Sequence, residues 1–187
     1  VSLGTTGSGK TAHCLKILET AKKVLPNRKI YVFKHPKPKL IEKLGYGNLY
    51  NIEQIDRMNG AIIYLDEPQL YFKLYEGKEN KVLATLLTIA RQRDIIIIMS
   101  TSMTHWVTRL LEGGVDCWIV RDIDYDSVKQ GSRIKQIIKQ NSFLDPSFFK
   151  LEKDEYLFYC RKFPEYSSKH RFVKPAWFTD EYSKPYA

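Results

Sequence analysis

Hydrophobic and polar positions follow two different periods along the first two thirds of the chain. Short apolar runs predict five strands, over Val1–Leu3, Lys29–Phe33, Ala61–Leu65, Asp94–Ser100 and Asp116–Val120. Between them, apolar residues recur at three- and four-residue spacing and predict helices over Lys10–Leu25 and Asn80–Arg91. Strands that alternate with helices are typical of an α/β protein with a mostly parallel central sheet flanked by helices.

Shorter patterns occupy the rest of the chain. Short helices are predicted over three segments, Leu40–Leu44, Ile52–Met58 and Trp106–Leu111. Two added C-terminal strands, expected to be antiparallel, are predicted at Ser132–Ile138 and Tyr156–Cys160. Because no linker or internal repeat interrupts the pattern, we expect a single domain over residues 1–187. Its core would span about 1–121, and a C-terminal extension about 122–187.

Composition narrows the class of protein. The 187 residues are 43% apolar and 27% charged, which excludes a disordered chain and is enough for one sizeable core. The longest apolar run, Ile95–Met99, is far shorter than the roughly 20 residues of a membrane-spanning helix, so no membrane insertion is expected. The sequence begins at Val1 without Met, directly before a glycine-rich segment, so we expect a few residues to precede it and see no signal peptide.

The cysteines indicate a reducing compartment. Cys14, Cys117 and Cys160 are widely spaced and odd in number, which argues against a disulfide scaffold or a paired metal site. Each lies in an apolar, periodic segment, and we therefore expect three buried thiols. The expected location is the cytoplasm, that of the host if the source is a virus.

A phosphate-binding loop is predicted near the N-terminus, where residues 4–11 match G-x-x-x-x-G-K-[ST] between a strand and a helix. Its members are Gly4, Thr5, Thr6, Gly7, Ser8, Gly9, Lys10 and Thr11. Small residues let backbone N–H groups point at phosphate oxygens, and the N-terminus of the next helix adds partial positive charge. We expect Lys10 to reach the β- and γ-phosphates of a nucleotide and the Thr11 hydroxyl to bind Mg²⁺.

An acidic pair follows the predicted strand Ala61–Leu65. Parallel strands end where ligands bind in open α/β sheets, so Asp66 is expected to hold Mg²⁺ through water. The next residue, Glu67, is placed to act as the general base for an attacking water. The alternative for Glu67 is a solvated carboxylate at a strand end. Taken together, the loop and the acidic pair predict nucleotide binding and hydrolysis.

Two further features surround the strand Asp94–Ser100. Arg91 or Arg93 is a candidate arginine finger, acting on the γ-phosphate of a neighbouring subunit, although helix C-termini also favour cations for structural reasons. After the strand, Ser100-Thr101-Ser102 presents hydroxyls, and Thr101 is a candidate sensor of the γ-phosphate. The alternative is a polar strand end with satisfied hydroxyls.

These motifs (G-T-T-G-S-G-K-T, I-I-Y-L-D-E-P and A-R-Q-R-D-I-I-I-I-M-S-T) resemble the FtsK/HerA superfamily of P-loop ATPases over about residues 1–121. The sequence is similar in particular to genome-packaging ATPases of double-stranded DNA viruses and to Zot-like proteins of filamentous phages. The resemblance implies a RecA/FtsK-HerA-like P-loop NTPase fold, and a ring of identical subunits, commonly six. Such rings use ATP and Mg²⁺ to move double-stranded DNA through a central channel, with capsid proteins as further partners.

The resemblance also assigns roles by position. It implies phosphate binding by Gly9, Lys10 and Thr11, metal binding by Asp66, catalysis by Glu67 and a finger role for Arg91 or Arg93. One position departs from the family pattern, in which the tip of the sensor strand usually carries Gln. This chain has Ser100-Thr101-Ser102 there, and the sensor assignment stays open.

Charge is unevenly distributed, which bears on the partner. Net charge is +7 over residues 1–60, −3 over 61–126 and +5 over 127–187, within a total of +9. A first basic cluster comprises Lys22, Lys23, Arg28, Lys29, Lys34, Lys37, Lys39 and Lys43, and a second comprises Lys129, Arg133, Lys135 and Lys139. Such clusters suit contacts to a DNA backbone without base reading, or else a solvated face. Most of the aromatic residues are expected to serve packing.

Three hypotheses for function follow. The first is an ATP-hydrolysing motor that translocates double-stranded DNA into a capsid. The second is a Zot-like NTPase acting as a switch in virion assembly or secretion, with hydrolysis that DNA does not stimulate. The third is a P-loop phosphotransferase, against which Glu67 argues because a phosphotransferase has no use for a water-activating carboxylate. That class also needs an arginine-rich lid, and residues 67–90 contain no arginine.

Overall fold

The structure, a computed structural model, describes residues 1–72, 77–102, 114–121, 151–152 and 154–182. The chain divides into two compact units, which are described separately below. The first unit combines Val1–Lys10 with Thr101–Val173, and the second combines Thr11–Ser100 with Lys174–Ala187. The predicted helix at 106–111 and the predicted strand at 132–138 lie outside the described residues.

Eight strands and three α-helices are found in the described part of the chain. The strands are β1 (Ser2–Leu3), β2 (Ile30–Phe33), β3 (Gly47–Leu49), β4 (Ile62–Asp66), β5 (Ile96–Thr101), β6 (Cys117–Val120), β7 (Glu155–Cys160) and β8 (Ser168–Arg171). The helices are α1 (Lys10–Val24), α2 (Pro38–Lys43) and α3 (Gly77–Gln92). Among these residues, every helix is too short or too polar to cross a membrane.

The second unit is built on parallel strands. β2 pairs with β3 on one side and with β4 on the other, and β4 pairs with β5, all in parallel. Every residue of β4 is buried, as expected for a continuous apolar strand with both faces covered. The register sets Phe33 beside Leu65 and Asp66 beside Ser100. The carboxyl ends of β2, β4 and β5 therefore meet at one edge.

The first unit mixes parallel and antiparallel pairing. β1 and β6 are parallel, with Leu3 opposite Val120, while β7 pairs antiparallel with both β6 and β8. The predicted α/β class, mostly parallel with added C-terminal strands, is confirmed. The added strand at Tyr156–Cys160 is confirmed as β7 and begins one residue earlier.

The hydrophobic pattern of the sequence did not predict two of the strands, β3 and β8. β3 reads Gly-Asn-Leu and β8 reads Ser-Lys-His-Arg, sequences that are poor in strand-forming residues. Each forms because a neighbouring strand provides backbone partners, β2 for β3 and β7 for β8. On β8 the His170 ring also stacks on Tyr156, with ring centroids 5.4 Å apart. The predicted short helix over 52–58 is a 3-10 helix over Ile52–Arg57.

Ile63 provides a test of the core of the second unit, since its side chain is fully buried in β4. Replacing Ile63 by Ala should lower the free energy of unfolding by about 2–5 kcal/mol, because the cavity adds to the lost apolar burial. The matched control is Ile96→Ala, since Ile96 begins the adjacent strand and is 40% exposed. Urea unfolding followed by circular dichroism measures both, and equal losses would contradict the assigned core.

Candidate functional site

The phosphate loop lies between β1 and α1, and glycines set its path. Gly7 and Gly9 have φ angles of 83° and 84°, in the region that side chains other than glycine rarely adopt. The N–H of Ser8 donates to the carbonyl of Thr5 at 3.2 Å, which closes a turn within the loop. The Lys10 ammonium is buried and donates to the same carbonyl at 2.9 Å. The loop thus has the backbone shape expected of a phosphate cradle.

Close packing against residue 121 explains Gly4. A Cβ on Gly4 would lie 2.3 Å from the carbonyl oxygen of Arg121, which leaves no room for any side chain. The same backbone is held to β1, since the N–H of Arg121 donates to the carbonyl of Leu3 at 2.8 Å. The start of the loop is therefore fixed against the end of β6.

Arg121 is a functional candidate that sequence reasoning missed. It is 4% exposed, and a Cβ on Gly9 would lie 3.6 Å from its guanidinium carbon. The guanidinium also lies over the ring of Phe172, 4.6 Å from the centroid. A buried cation directly against the loop makes this position favourable for phosphate. The available signal was an arginine immediately after an apolar strand, at the strand end where such folds bind ligands.

The two residues predicted to bind Mg²⁺, Thr11 and Asp66, meet in the second unit. Thr11, which directly follows Lys10, donates its hydroxyl to Asp66 at 3.2 Å from Oδ1 and 3.4 Å from Oδ2. The Tyr64 hydroxyl donates to Oδ1 at 2.9 Å, and the Ser100 hydroxyl donates to the same oxygen. Oδ1 is thus held by three hydroxyls and Oδ2 by one, which leaves Oδ2 with the greater capacity to accept. Hydroxyl and carboxylate oxygens fit Mg²⁺, either directly or through water.

Burial has the largest effect on the pKa of the Asp66 carboxyl. Desolvation raises the pKa of Asp66, the hydrogen bonds from Ser100 and Tyr64 oppose that rise, and the nearby charge of Glu67 adds to it. A divalent cation would favour the ionised form again. Burial also raises the pKa of Tyr64 well above 10, so its phenol stays protonated and keeps donating.

Glu67 follows β4 in a strained conformation. Its φ of 44° and ψ of 59° are left-handed, at a cost of about 1–2 kcal/mol for a residue with a side chain. Its N–H donates to the carbonyl of Ser100 at 2.9 Å, and the Gln69 amide donates to its carboxylate. Strain of this kind concentrates at functional sites. The carboxylate is therefore aimed by a turn that residues 67–70 form together.

The other predicted residues lie around the end of β5 and the end of α3. Ser100, the residue before the candidate sensor Thr101, contacts Asp66, while Thr101 itself is fully buried. Arg91 is exposed in the last turn of α3, and Arg93 is half-buried just beyond it. The carbonyl of Arg93 accepts from the N–H of Gly60 at 2.9 Å. The finger and sensor roles of Arg91, Arg93 and Thr101 remain predictions.

His35 is a buried histidine near Asp66. Its side chain is 6% exposed and lies just after β2, next to the strand that ends at Asp66. Burial lowers the pKa of His35, so the imidazole is neutral at pH 7. Nδ1 lies 3.1 Å from the backbone nitrogen of Lys37 and 3.2 Å from the carbonyl oxygen of Lys37, so the backbone of Lys37 holds this ring nitrogen in either tautomer.

Comparison with known proteins identifies the fold. No protein-family model matches the sequence, and no curated protein matches it. Among solved structures, B204, the DNA-packaging ATPase from Sulfolobus turreted icosahedral virus, aligns with a TM-score of 0.69 and 15% identity. The alignment covers 92% of this chain and 96% of that chain. B204 from Sulfolobus turreted icosahedral virus 2, in complex with AMPPCP, aligns with a TM-score of 0.67 and 14% identity over 92% and 96% of the two chains.

A bacterial structure shares the same fold. The cytoplasmic domain of the type VII secretion ATPase EccC from Thermomonospora curvata aligns with a TM-score of 0.64 and 13% identity, over 93% of this chain and 23% of that longer chain. At such identities the likeness establishes the fold, which is that of the P-loop NTPases. The expected resemblance to FtsK/HerA-type ATPases is thereby confirmed at the level of the fold.

Arg121 generates the first test of the site. Arg121→Lys keeps the positive charge but loses the planar guanidinium that faces Gly9 and covers Phe172, so affinity for ATPγS should fall about tenfold. Isothermal titration calorimetry measures the affinity. The matched control is Arg171→Lys, since Arg171 is an exposed arginine of the same unit. Unchanged affinity, in a variant whose thermal unfolding matches that of the parent, would contradict the role of Arg121.

Proposed function

We propose that this protein is an ATP-hydrolysing motor that moves double-stranded DNA, in the packaging of a viral genome. The observation that carries the proposal is the hydrogen bond between the Thr11 hydroxyl and Asp66. It joins the residue that ends the phosphate loop to the carboxylate that ends β4, which is the pairing that holds Mg²⁺ in P-loop ATPases. The shared fold with B204, a viral DNA-packaging ATPase, supports the choice among such enzymes.

Each residue then has a chemical task. The loop from Gly4 to Gly9 offers backbone N–H groups to the phosphates of ATP, and Lys10 exchanges its bond to Thr5 for the β- and γ-phosphates. Thr11 and Asp66 would hold Mg²⁺, which supplies neutralisation of the charge that develops on the phosphates. Glu67 accepts a proton from the attacking water.

Two sets of cations complete the proposal. Arg121 adds positive charge behind Gly9 within the same unit. Arg91 and Arg93, at the end of α3, would act on the γ-phosphate held by a neighbouring copy in a homo-oligomeric ring, which we propose to be a hexamer. Thr101 would respond to the γ-phosphate, with its neighbour Ser100 already bonded to Asp66.

The first basic cluster is the proposed DNA contact. Seven of its eight members are exposed, and Arg28, which pairs with Asp94, is the exception. Lys39 and Lys43 stand four residues apart on α2, so the two like charges share one helix face. Such a face gains from contact with phosphates and needs no base recognition. The second basic cluster, at 129–139, lies outside the described residues.

A second candidate is an NTPase switch in virion assembly or secretion. The likeness to the type VII secretion ATPase EccC favours it, because that protein shares the fold and is named for secretion. The two proposals differ in what DNA does to turnover. A motor hydrolyses ATP faster on double-stranded DNA, while a switch hydrolyses at a rate that DNA leaves unchanged.

Glu67→Gln is the direct test of the catalytic assignment. Removing the proton acceptor should lower kcat for ATP by at least about a hundredfold while ATP binding is retained, because the phosphate loop and Asp66 are untouched. Glu53→Gln, at an exposed glutamate of the same unit, is the matched control. Phosphate release is measured with Mg²⁺ and after EDTA, which should stop turnover. A Glu67→Gln enzyme as fast as the parent would instead favour the phosphotransferase hypothesis.

The DNA contact is tested by salt dependence. Replacing Lys39 and Lys43 together by Ala should weaken binding to duplexes of any sequence and reduce the slope of log affinity against log salt by about 1–2. The double variant Lys162→Ala and Lys174→Ala, at exposed positions outside the cluster, should leave the slope unchanged. Equal effects in both variants would contradict a specific contact by α2. Turnover that duplex DNA does not stimulate in the parent would favour the switch.

A further inference from the structure

Two of the three cysteines face each other across neighbouring strands of the first unit. Cys117 on β6 and Cys160 on β7 are directly opposite in the antiparallel register, with their Sγ atoms 3.1 Å apart. This contact was not expected, since the sequence separates the two residues by 43 positions. The fold therefore brings two thiols that are distant in the sequence into contact.

The backbone hydrogen bonds define the type of pair. The N–H of Cys160 donates to the Ser167 hydroxyl at 3.1 Å, and the N–H of Arg161 donates to the carbonyl of Asp116 at 2.8 Å. Cys117 and Cys160 therefore occupy a position without ladder hydrogen bonds between them. At such positions Cα atoms are about 4.5 Å apart and side chains come closest, a spacing that lies within the range of disulfides.

We propose that Cys117 and Cys160 form an intramolecular disulfide that links β6 to β7. A shared metal ion is a weaker use of the two thiols. A structural zinc site needs four ligands, and the described residues contain no group of three His, Cys, Asp or Glu side chains able to hold a metal.

The reaction needs an oxidant, for which a small-molecule disulfide such as oxidised glutathione suffices. One cysteine thiolate attacks a glutathione sulfur and releases the other glutathione as a thiolate, which takes up the proton lost by the cysteine. The second cysteine then attacks the mixed disulfide and releases the remaining glutathione in the same way. Two protein thiols are oxidised and one glutathione disulfide is reduced to two glutathiones.

The surroundings of Cys117 and Cys160 favour a long-lived disulfide over one that forms and breaks rapidly. Burial and the adjacent Cys160 thiol raise the pKa of Cys117 to about 11, so few thiolates exist at neutral pH and oxidation is slow. Cys160 is buried and Cys117 is half-buried, which also limits access of a reductant once the bond has formed. The test is therefore run at about pH 9, where the thiolate fraction is larger.

The bond would stabilise the strand that positions Arg121. β6 pairs with β1 on its other side and ends one residue before Arg121, whose backbone abuts Gly4. Closing a loop of this length restricts the unfolded chain, and we expect the Tm to rise by roughly 5–15 °C on oxidation. Nucleotide turnover is not required for this effect, so the inference stands apart from the proposed function.

The experiment compares the same protein after incubation with oxidised glutathione and after incubation with dithiothreitol. Thiols are counted in denaturant with Ellman's reagent, and we expect three in the reduced protein and one in the oxidised protein. The intact mass should fall by about 2 Da, for two hydrogens lost, and peptide mapping should join Cys117 to Cys160. Calorimetry measures the Tm of both forms.

A matched variant identifies the pair. Cys14→Ala removes the buried thiol of α1 and should still lose two thiols on oxidation, whereas Cys160→Ser should retain glutathione on Cys117 or stay reduced. Three free thiols in the oxidised parent, a persistent glutathione adduct on it, a disulfide between two chains or a bond to Cys14 would each overturn the proposal.

Discussion

The buried carboxylate of Asp66 is the constraint on which the second unit depends. Placing a carboxylate at 6% exposure costs free energy unless its oxygens are hydrogen-bonded. Hydroxyls from Tyr64, Ser100 and Thr11 meet that need, and they come from β4, β5 and the start of α1. The same three contacts that offset the burial also fix where the carboxylate points. Stability and the proposed metal binding thus place the same demand on these positions.

In the first unit the comparable constraint is the backbone path of the glycine-rich loop. Gly4 is required because the backbone of Arg121 passes where a Cβ would lie, and Gly9 is required because its φ is positive. A loop held by such close contacts keeps one backbone shape, which the proposed phosphate binding requires. Preorganised donors of this kind lose little entropy on binding. The buried positive charge of Arg121 would add an attraction for phosphate, which the glycine motif alone does not reveal.

The strained turn at Glu67 sets the direction of the carboxylate that is proposed to act as the general base. The left-handed turn takes the chain out of β4 as soon as Asp66 has been placed, and the hydrogen bond from its N–H to Ser100 keeps that turn attached to β5. A glutamate on a regular strand would point to one of the two faces of the sheet. The turn instead points the Glu67 carboxylate away from both faces, and there it accepts a hydrogen bond from the Gln69 amide.

The sequence by itself determined six of the eight described strands, the amphipathic helices and the glycine-rich loop. Local signals carry these features, because a five-residue apolar run or a glycine motif has the same meaning in many contexts. Only the tertiary structure decided that Gly47–Leu49 and Ser168–Arg171 are strands, that Arg121 lies behind Gly9, and that Cys117 meets Cys160. Each of these depends on a partner distant in the sequence, and pairing across a sheet leaves no periodic trace within either segment.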